Sequence, residues 1–253
     1  MAKTKAVAET PIINIAPIQR SQTRVFIVGE TGLYCHRMAA KAKSQLLMGA
    51  KKKTAAEKLQ LKHDPVSEFV ESMHVKEGMF PDTDVVFPAS AFKAAMATAA
   101  LVVPGIRKTD VQRLVYVPDE FVPIYGVPKL RMDVVRSADI NKTPDIRTRA
   151  FFEEWATVMD VEFTNPPLTE TAILVLLSNA GAVAGVGDFR QEKGKGSFGT
   201  FTTALNQEIP PKLANCLEEQ REAIDNPIPY DDDTKYLLDL IQEEEAKRAK
   251  APE

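Results

Sequence analysis

Cysteine, tryptophan and histidine are scarce in this chain. Of its 253 residues, two are Cys, one is Trp and three are His. Two cysteines are too few for the disulfide scaffold that stabilises many small secreted domains. The first twenty residues also lack the apolar segment of a secretory signal peptide, so the sequence predicts a cytoplasmic protein.

Long hydrophobic runs are also missing. The most apolar stretch, AILVLLSNAGAVAG, is interrupted by Ser178, Asn179 and Gly181 and is shorter than the roughly 20 apolar residues that a membrane-spanning helix needs. We therefore expect a soluble protein with no membrane partner. A chain with 44% hydrophobic and 26% charged residues is long enough to bury one sizeable core, so a single main domain is expected.

Motifs of established catalytic chemistry are absent as well. The sequence contains neither a GxSxG nucleophile elbow nor an HExxH metal-binding helix. Cys35 and His36 are neighbours, but no second pair follows at zinc-like spacing, so we expect no metal site and no cofactor. The run Asp231, Asp232 and Asp233 leaves a magnesium-dependent nuclease as an alternative, although a like-charged run in a Pro-rich loop is more often solvated surface.

Charge is distributed unevenly, although the net charge is only −3. Residues 1–62 carry 12 Lys and Arg against three acidic residues, whereas residues 208–253 carry 13 acidic residues against six basic ones. A basic N-terminal part is typical of a surface that binds a polyanion; solvated surface explains it equally well. The candidate contacts in this part are Arg24, Arg37, Lys41, Lys51, Lys52 and Lys53.

The pattern along the chain divides it into three parts. Residues 1–20 are rich in Ala, Pro and Lys without periodicity, and we interpret them as a flexible arm. Residues 21–207 mix helix and strand patterns and form the predicted core, with a basic helical insertion at about residues 49–80. Residues 208–253 are predicted to form an acidic helical tail, broken at DNPIPYDDD.

Helix starts and strands within the core are indicated by local signals. Asp64 followed by Pro65 marks a helix start, and we expect Ser90 and Thr169 to cap two further helices. Strand patterns dominate residues 111–163, and the last two are long enough to be the arms of a hairpin. The final one is predicted to run unbroken from Arg147 to Thr164, with Phe151, Trp155 and Met159 on the same face as Arg147 and Arg149. These two arginines are either binding residues or ordinary cations on a solvent face.

A glycine-rich run, GVGDFRQEKGKGSFGTF, follows the most apolar predicted helix. It lacks the GK[ST] ending of a P-loop, and it leads from a helix to a strand, the reverse of a dinucleotide-binding fingerprint. One interpretation is structural, with glycines that end the helix and form a turn. The other is a phosphate-binding loop of bare amides, cations and stacking rings. Its candidate contacts are Gly187, Phe189, Arg190, Lys193, Lys195 and Phe198.

This order of elements resembles the RAMP superfamily, specifically the backbone subunits that line CRISPR effector complexes. Their glycine-rich loop after the last core helix is matched by Gly185, Gly187, Gly194, Gly196 and Gly199. The chain is also similar to uncharacterised bacteriophage proteins with the pattern AG…VG(I/V)G(D/E)(F/W)R, which is matched by Ala180, Gly181, Val186, Gly187, Asp188, Phe189 and Arg190. The acidic tail departs from the CRISPR pattern. The resemblance therefore implies a solitary phage-encoded member that acts in the host cytoplasm.

The resemblance also implies a fold and a function. The fold would be α+β, with an RRM/ferredoxin-like antiparallel sheet, helices on one of its faces, the basic insertion, and a β-hairpin thumb from the strands around Arg131 to Arg149. Members of this superfamily bind single-stranded nucleic acid with protomers side by side.

We therefore expect a non-catalytic protein that binds single-stranded DNA or RNA and assembles head-to-tail along it, as a homo-oligomer or helical filament. Phage recombination, replication or genome protection would be its setting. A metal-dependent nuclease and a subunit of an RNA-guided complex are the alternatives.

Overall fold

The structure is a computed structural model, and it describes residues 17–48, 61, 63–80, 83–136, 143–193, 195–204 and 206–250. The predicted α+β class is confirmed, because antiparallel sheets and helices alternate along these residues. Most of the predicted arm and the loop that carries Lys51, Lys52 and Lys53 lie outside the described residues. The first strand begins at Gln19, two residues before the predicted start of the core.

Strands and helices are numbered in chain order. The strands are β1 (Gln19–Gly29), β2 (Leu33–Cys35), β3 (His74–Phe80), β4 (Thr83–Pro88), β5 (Val115–Tyr116), β6 (Phe121–Pro123), β7 (Pro128–Arg136), β8 (Pro144–Phe152), β9 (Ala156–Asn165) and β10 (Phe201–Thr203). The helices are α1 (Ala40–Met48), α2 (Pro65–Glu71), α3 (Ser90–Ala99), α4 (Lys108–Leu114), α5 (Glu170–Val183), α6 (Pro211–Ala214), α7 (Leu217–Asp225) and α8 (Asp232–Lys250), with a 3₁₀ turn at Gln191–Lys193.

The central sheet has four antiparallel strands in the order β10-β1-β9-β5. β1 and β9 pair from Gln19 opposite Asn165 to Val28 opposite Ala156. Because successive side chains of a strand point to opposite faces, Val25 and Ile27 enter the core together. Helices α3 and α5 pack against each other and cover this face of the sheet.

Two smaller sheets flank the central one, in the orders β2-β8-β7 and β3-β4-β6. The predicted hairpin is present as β7 and β8, which pair from Pro128 opposite Phe152 to Arg136 opposite Pro144. The prediction of one unbroken strand from residue 147 to residue 164 is wrong. The chain leaves β8 at Phe152 and enters the central sheet as β9 at Ala156.

Two of the three predicted helix caps are confirmed. The Asp64 carboxylate accepts a hydrogen bond from the backbone N–H of Ser67, with Pro65 as the first helical residue. Thr169 accepts one from the N–H of Ala172. Ser90 is instead the first residue of α3 and makes no cap bond, since Ala89 occupies the cap position.

The acidic C-terminal part forms the predicted helices, with the predicted break between α7 and α8. It packs on the core. The fully buried amide of Gln220 accepts hydrogen bonds from Thr83 Oγ1 and from the N–H of Val85, and it donates to the carbonyls of Ile124 and Gly126. A buried amide with all these partners fixes α7 firmly to the third sheet.

The same part of the chain also covers the outer edge of β7. Leu130 donates its N–H to the carbonyl of Ile228 at 2.8 Å and accepts from the N–H of Tyr230 at 2.8 Å. Thr234 Oγ1 accepts from the N–H of Met132. The hairpin is therefore paired along β8 and held along part of its other edge. None of the described helices is long and apolar enough to cross a membrane.

A glycine allows close contact between α5 and β10. A Cβ atom at Gly181 would lie 1.7 Å from the carbonyl oxygen of Phe201, and backbone on both sides prevents easy relief. We expect Gly181→Ala to lower the free energy of unfolding by about 3 kcal/mol, the upper part of the usual range for overpacking. Urea denaturation measures it, with the exposed neighbour Ala182→Ser as control, expected within about 0.5 kcal/mol of the parent. Equal midpoints for the two variants would contradict this packing.

Candidate functional site

Two adjoining cavities meet at the end of β2. One, of about 310 Å³, lies between β2, α3 and the glycine-rich run. The other, of about 480 Å³, lies between the start of α1, α2 and β8. Both are lined by His36, Arg37 and Ser72. We call the combined depression the Arg37 groove.

Hydrogen bonds to the end of α2 hold the floor of the Arg37 groove. Ser72 Oγ donates to the carbonyl of Phe69 at 2.6 Å and accepts from the N–H of Ala150 at 2.9 Å. The Ser72 carbonyl accepts from the N–H of Arg37 at 2.9 Å. One buried serine therefore joins α2, β8 and the segment after β2, which fixes the position of Arg37 relative to the hairpin.

Two arginines of the groove have no carboxylate partner among the described residues. Most arginines in the described residues are paired with Asp or Glu, including Arg20, Arg24, Arg107, Arg131, Arg149, Arg190 and Arg221. Arg37 and Arg147 form no ion pair with any residue that the structure describes, and both line the larger cavity. The Arg37 guanidinium donates one hydrogen bond to the carbonyl of Met73 at 3.3 Å. Its remaining donors, and those of Arg147, can bind an external anion.

Two histidines of the groove have pKa values below the ordinary value, chiefly because of desolvation. Crowding by protein atoms lowers the pKa of His36 even though its side chain reaches solvent, and Arg147 and Arg149 lower it further against the opposing effect of Asp188. Desolvation also lowers the pKa of His74, followed by the charges of Arg37, Lys43 and Lys76. Both imidazoles are neutral near pH 7, since an unperturbed histidine already titrates near about pH 6.5.

The glycine-rich run folds back on itself and on β2. Gly187 has a φ of +86° and Gly199 one of +70°, values that side chains rarely permit. A Cβ atom at Gly199 would lie 1.8 Å from the carbonyl oxygen of Val186, and one at Gly196 would lie 1.5 Å from that of Phe189. These glycines are therefore explained by contact of backbone with backbone, as the structural interpretation predicts.

The predicted cradle of bare amides is mostly occupied by the fold. Val186 donates its N–H to Gly199, Asp188 donates to Tyr34, and Gly199 donates to Gly32. Because these donors are already satisfied, they are not free to bind a phosphate. Any anion bound in the Arg37 groove would depend on side-chain cations, with the glycine run as a wall.

Arg149 is buried, so the interpretation that it lies on a solvent face is wrong. Its side chain is 4% exposed and donates to Asp133 and to Asp188 at 2.7 Å each. The guanidinium also lies over the ring of Tyr34, 4.3 Å from its centre. Arg149 shares a face of β8 with Phe151, as the alternation predicts, and both contact the ring of Tyr34. The glycine run covers this face and supplies Asp188.

A cluster of rings around Arg131 adjoins this ion pair. The Arg131 guanidinium lies 4.5 Å from the ring centre of Tyr230, 5.0 Å from that of Phe151 and 5.7 Å from that of Phe198. Such cation–π contacts are favourable, the more so where water is excluded. The cluster connects the hairpin, the glycine run and the C-terminal part.

Phe189 stands at the outer side of this cluster. Its side chain is 45% exposed and packs in a stacked orientation on Phe198, with ring centres 6.0 Å apart. Its φ of +55° is unusual for a bulky residue, and conformations of this kind often accompany functional positions. An exposed ring stacked on a fixed one offers a surface on which a base can stack.

The other predicted contacts are divided between the groove and the rest of the surface. Arg190 lines the smaller cavity, where it pairs with Glu192 and donates to the carbonyl of Gly187. Lys193 and Lys195 are exposed on the glycine-rich run. Arg24 lies away from the groove, paired with Asp160 across β1 and β9. The side chain of Lys41 lies outside the described residues.

Several residues of the groove were not predicted. Ser72 and His74 come from one part of the chain and Asp188 from another, and they meet only through tertiary pairing. No spacing or local composition marks Ser72 and His74 in the sequence, and Asp188 was recognised only as part of the glycine-rich pattern.

Metal ligation finds little support in the candidate residues. No group of three or more His, Cys, Asp or Glu side chains converges in the part of the chain that the structure describes. Burial raises the pKa of Cys35 to about 12, so its thiol stays protonated at neutral pH. The Asp231 carboxylate accepts the N–H of Thr234 at the start of α8, which is a capping role.

Neither protein-family models nor curated proteins give a match to this chain, so the geometry of the Arg37 groove is the main guide to function.

Proposed function

We propose that this protein is a non-catalytic binder of single-stranded DNA or RNA and that the strand lies in the Arg37 groove. The observation that carries the proposal is that Arg37 and Arg147, which form no ion pair with any residue that the structure describes, lie on the walls of one cavity. Arginine without a carboxylate partner is well suited to phosphate oxygens, because its planar fork donates two hydrogen bonds. The stacked rings of Phe189 and Phe198 would receive bases, since every base has a face that can stack.

The strand order supports the RRM-like core and the RAMP membership that we propose. β1, α3, β5, β9, α5 and β10 follow one another as a βαββαβ unit. Their sheet order β10-β1-β9-β5 corresponds to 4-1-3-2 within that unit, the order of a ferredoxin-like sheet. β7 and β8 stand between β5 and β9 in the chain, and β8 carries Arg147 into the groove. We propose this hairpin as the thumb.

The outer face of the central sheet is less suited than the Arg37 groove to binding a nucleic-acid strand. RRM domains stack bases on aromatic side chains of that face. Here, pairs between Arg24 and Asp160 and between Arg20 and Glu162 cross it. The arginines of that face are therefore already paired with carboxylates, whereas Arg37 and Arg147 form no ion pair with described residues, so we place the nucleic-acid strand in the Arg37 groove.

Assembly along the strand is the second part of the proposal. A basic N-terminal part and an acidic C-terminal part are suited to contacts in which one surface meets a different surface of the next copy. Such heterologous contacts produce rings or helical filaments. The proposed role is coating of single strands during phage recombination, replication or genome protection.

Fluorescence anisotropy with labelled oligonucleotides tests the proposal. Single-stranded DNA, single-stranded RNA and duplex DNA are titrated with the protein at low and high salt, with and without magnesium. We expect single strands to bind more tightly than duplex, with little sequence preference and with affinity that falls as salt rises. Salt-independent binding, or binding to duplex alone, would contradict the proposal. Strand cleavage that requires magnesium would favour the nuclease.

Electron microscopy tests assembly. With a long single strand at saturating protein, we expect continuous filaments or rings. Isolated monomers or two-fold dimers under these conditions would contradict the head-to-tail arrangement.

Affinity for the strand is expected to increase as pH falls. His36 and His74 are neutral in the free protein because their pKa values are lowered, and a bound phosphate favours their charged forms, so binding takes up protons. Between about pH 7.5 and about pH 6.0 the affinity should rise about 3- to 10-fold.

Stability changes the other way: the unfolded chain binds more protons than the folded one as pH falls through about 6.5, so the fold loses stability there. Replacing both histidines with Asn should remove most of the pH dependence of the affinity. If affinity still changed with pH as in the parent, His36 and His74 would not be its cause.

A further inference from the structure

An apolar groove opens on the helical side of the central sheet, remote from the Arg37 groove. It has a volume of about 480 Å³ and lies between α5 and the segment that leads into α4. Its walls include Val103, Ile106, Leu168, Val175 and Leu176. We call it the α4–α5 groove.

The surface at this groove is unusually apolar. Val175 is 53% exposed in the middle of α5, and Leu101 and Val102 are each 65% exposed in the segment before α4. Val175 lines the groove, and Leu101 and Val102 precede its wall residue Val103 in the chain. Exposed aliphatic residues at a cavity mark a surface to which something binds.

The described chain begins beside this groove. Gln19, the first residue of β1, pairs with Asn165 at the end of β9. Pro167 and Leu168, just after β9, form one end of the groove, and the N–H of Leu168 donates back to Thr164 at 3.0 Å. Ile18, which precedes β1, is 73% exposed.

The sequence before β1 has the composition that this groove requires. Residues 11–15 read PIINI and contain three isoleucines, Ile12, Ile13 and Ile15, and no charge. Pro17 biases the residue before it towards extended backbone, and in an extended chain Ile13 and Ile15 point to the same side. Three residues, 16–18, can span about 10 Å, and they precede Gln19, which pairs with Asn165 two positions before Pro167 of the groove.

We propose that residues 11–15 dock in the α4–α5 groove of their own chain, with Ile13 and Ile15 directed towards Val175 and Leu176. The short connection favours the same chain over a neighbour, because a tether of a few residues gives an effective concentration in the millimolar range. The groove is then an internal docking site that fixes the N-terminal segment to the helical layer. This inference does not depend on nucleic-acid binding.

An engineered cysteine pair tests the docking directly. The full-length chain with Ile13→Cys and Val175→Cys is oxidised and resolved without reductant, and the linked peptides are identified by mass. Its natural cysteines, Cys35 and Cys216, are buried. We expect most molecules to form a disulfide within one chain. The matched pair Ile13→Cys and Lys235→Cys, with the second cysteine on α8, should not. Linked dimers would place the segment on a second copy, and no linkage would leave the groove to a different partner; either result overturns the proposal.

Thermal unfolding gives an independent test. Val175→Lys should lower the Tm of the full-length chain by about 2–4 °C, because it places a charge under the docked segment. In a chain that lacks residues 2–16, the same substitution should leave the Tm within about 1 °C of that truncated parent, since an exposed lysine on a helix is nearly neutral. Equal shifts in both backgrounds would contradict the docking, whatever the nucleic-acid experiments show.

Discussion

Reversing both Arg37 and Arg147 to glutamate should weaken binding of a single-stranded oligonucleotide by about 100-fold or more. Each arginine is expected to donate to a phosphate, and charged hydrogen bonds of this kind contribute about 1.5–3 kcal/mol. The slope of log affinity against log salt should become shallower by about 1.4, which is two phosphate contacts on a single strand. Anisotropy titrations at several salt concentrations measure both quantities.

The chain offers a control with the same change of charge. Lys108 and Arg113 are exposed residues of α4 that form no ion pair with other described residues, and neither lines the Arg37 groove. Reversing both should reduce affinity only slightly, through long-range electrostatics. Equal losses in the two double variants would mean that net charge governs binding and that the groove has no special part in it.

Replacing Arg149 with methionine should lower the free energy of unfolding by about 3–5 kcal/mol, the usual result of removing one partner of a buried ion pair. Methionine keeps much of the side-chain volume, but Asp188 loses its arginine partner and Asp133 keeps only Arg131. Burial opposes ionisation of Asp188, but the N–H of Phe189 and the Arg149 guanidinium outweigh it and hold its pKa below the ordinary range. The carboxylate therefore stays charged near neutral pH and becomes costly once Arg149 is removed. Urea denaturation at neutral pH provides the measurement.

Arg147, two residues earlier on the same strand, supplies the contrast. Arg147→Met should leave the stability within about 0.5 kcal/mol of the parent and reduce strand binding. Arg149→Met should do the reverse where the protein is still folded. If both variants lost stability equally, it would be wrong to assign Arg149 to the stability of the fold and Arg147 to nucleic-acid binding. A second variant, Asp188→Asn, should reduce the effect of Arg149→Met in a double-mutant cycle.

The sequence predicted those features that depend on neighbouring residues. The caps at Asp64 and Thr169 are local hydrogen bonds within one turn of helix, so a few letters are enough to indicate them. The break between β8 and β9 is different in kind. There the Trp155 ring N–H donates to the carbonyl of Thr31, 124 positions away, and the alternation of residues 147–164 gives no sign of this contact.

The candidate site shows the same limit. Arg37 and Arg147 were identified as cations from the sequence. That they form no ion pair with described residues, unlike Arg24 and Arg149, depends on pairing between distant strands. The glycine-rich run was recognised from composition. Whether its amides face solvent or the fold was decided by contacts with β2, which lies about 150 positions earlier in the chain.

During synthesis, β7 emerges from the ribosome well before the residues that cover its outer edge. Met132 and Thr234 are 102 positions apart, which corresponds to a delay of about 5–20 s at usual elongation rates. Throughout that interval the nascent hairpin has unpaired backbone groups along one edge, next to the apolar side chain of Val134. Such an edge can pair with another nascent chain on the same messenger RNA. The growing chain is therefore most exposed to misassembly after its hairpin has formed and before α8 has been made.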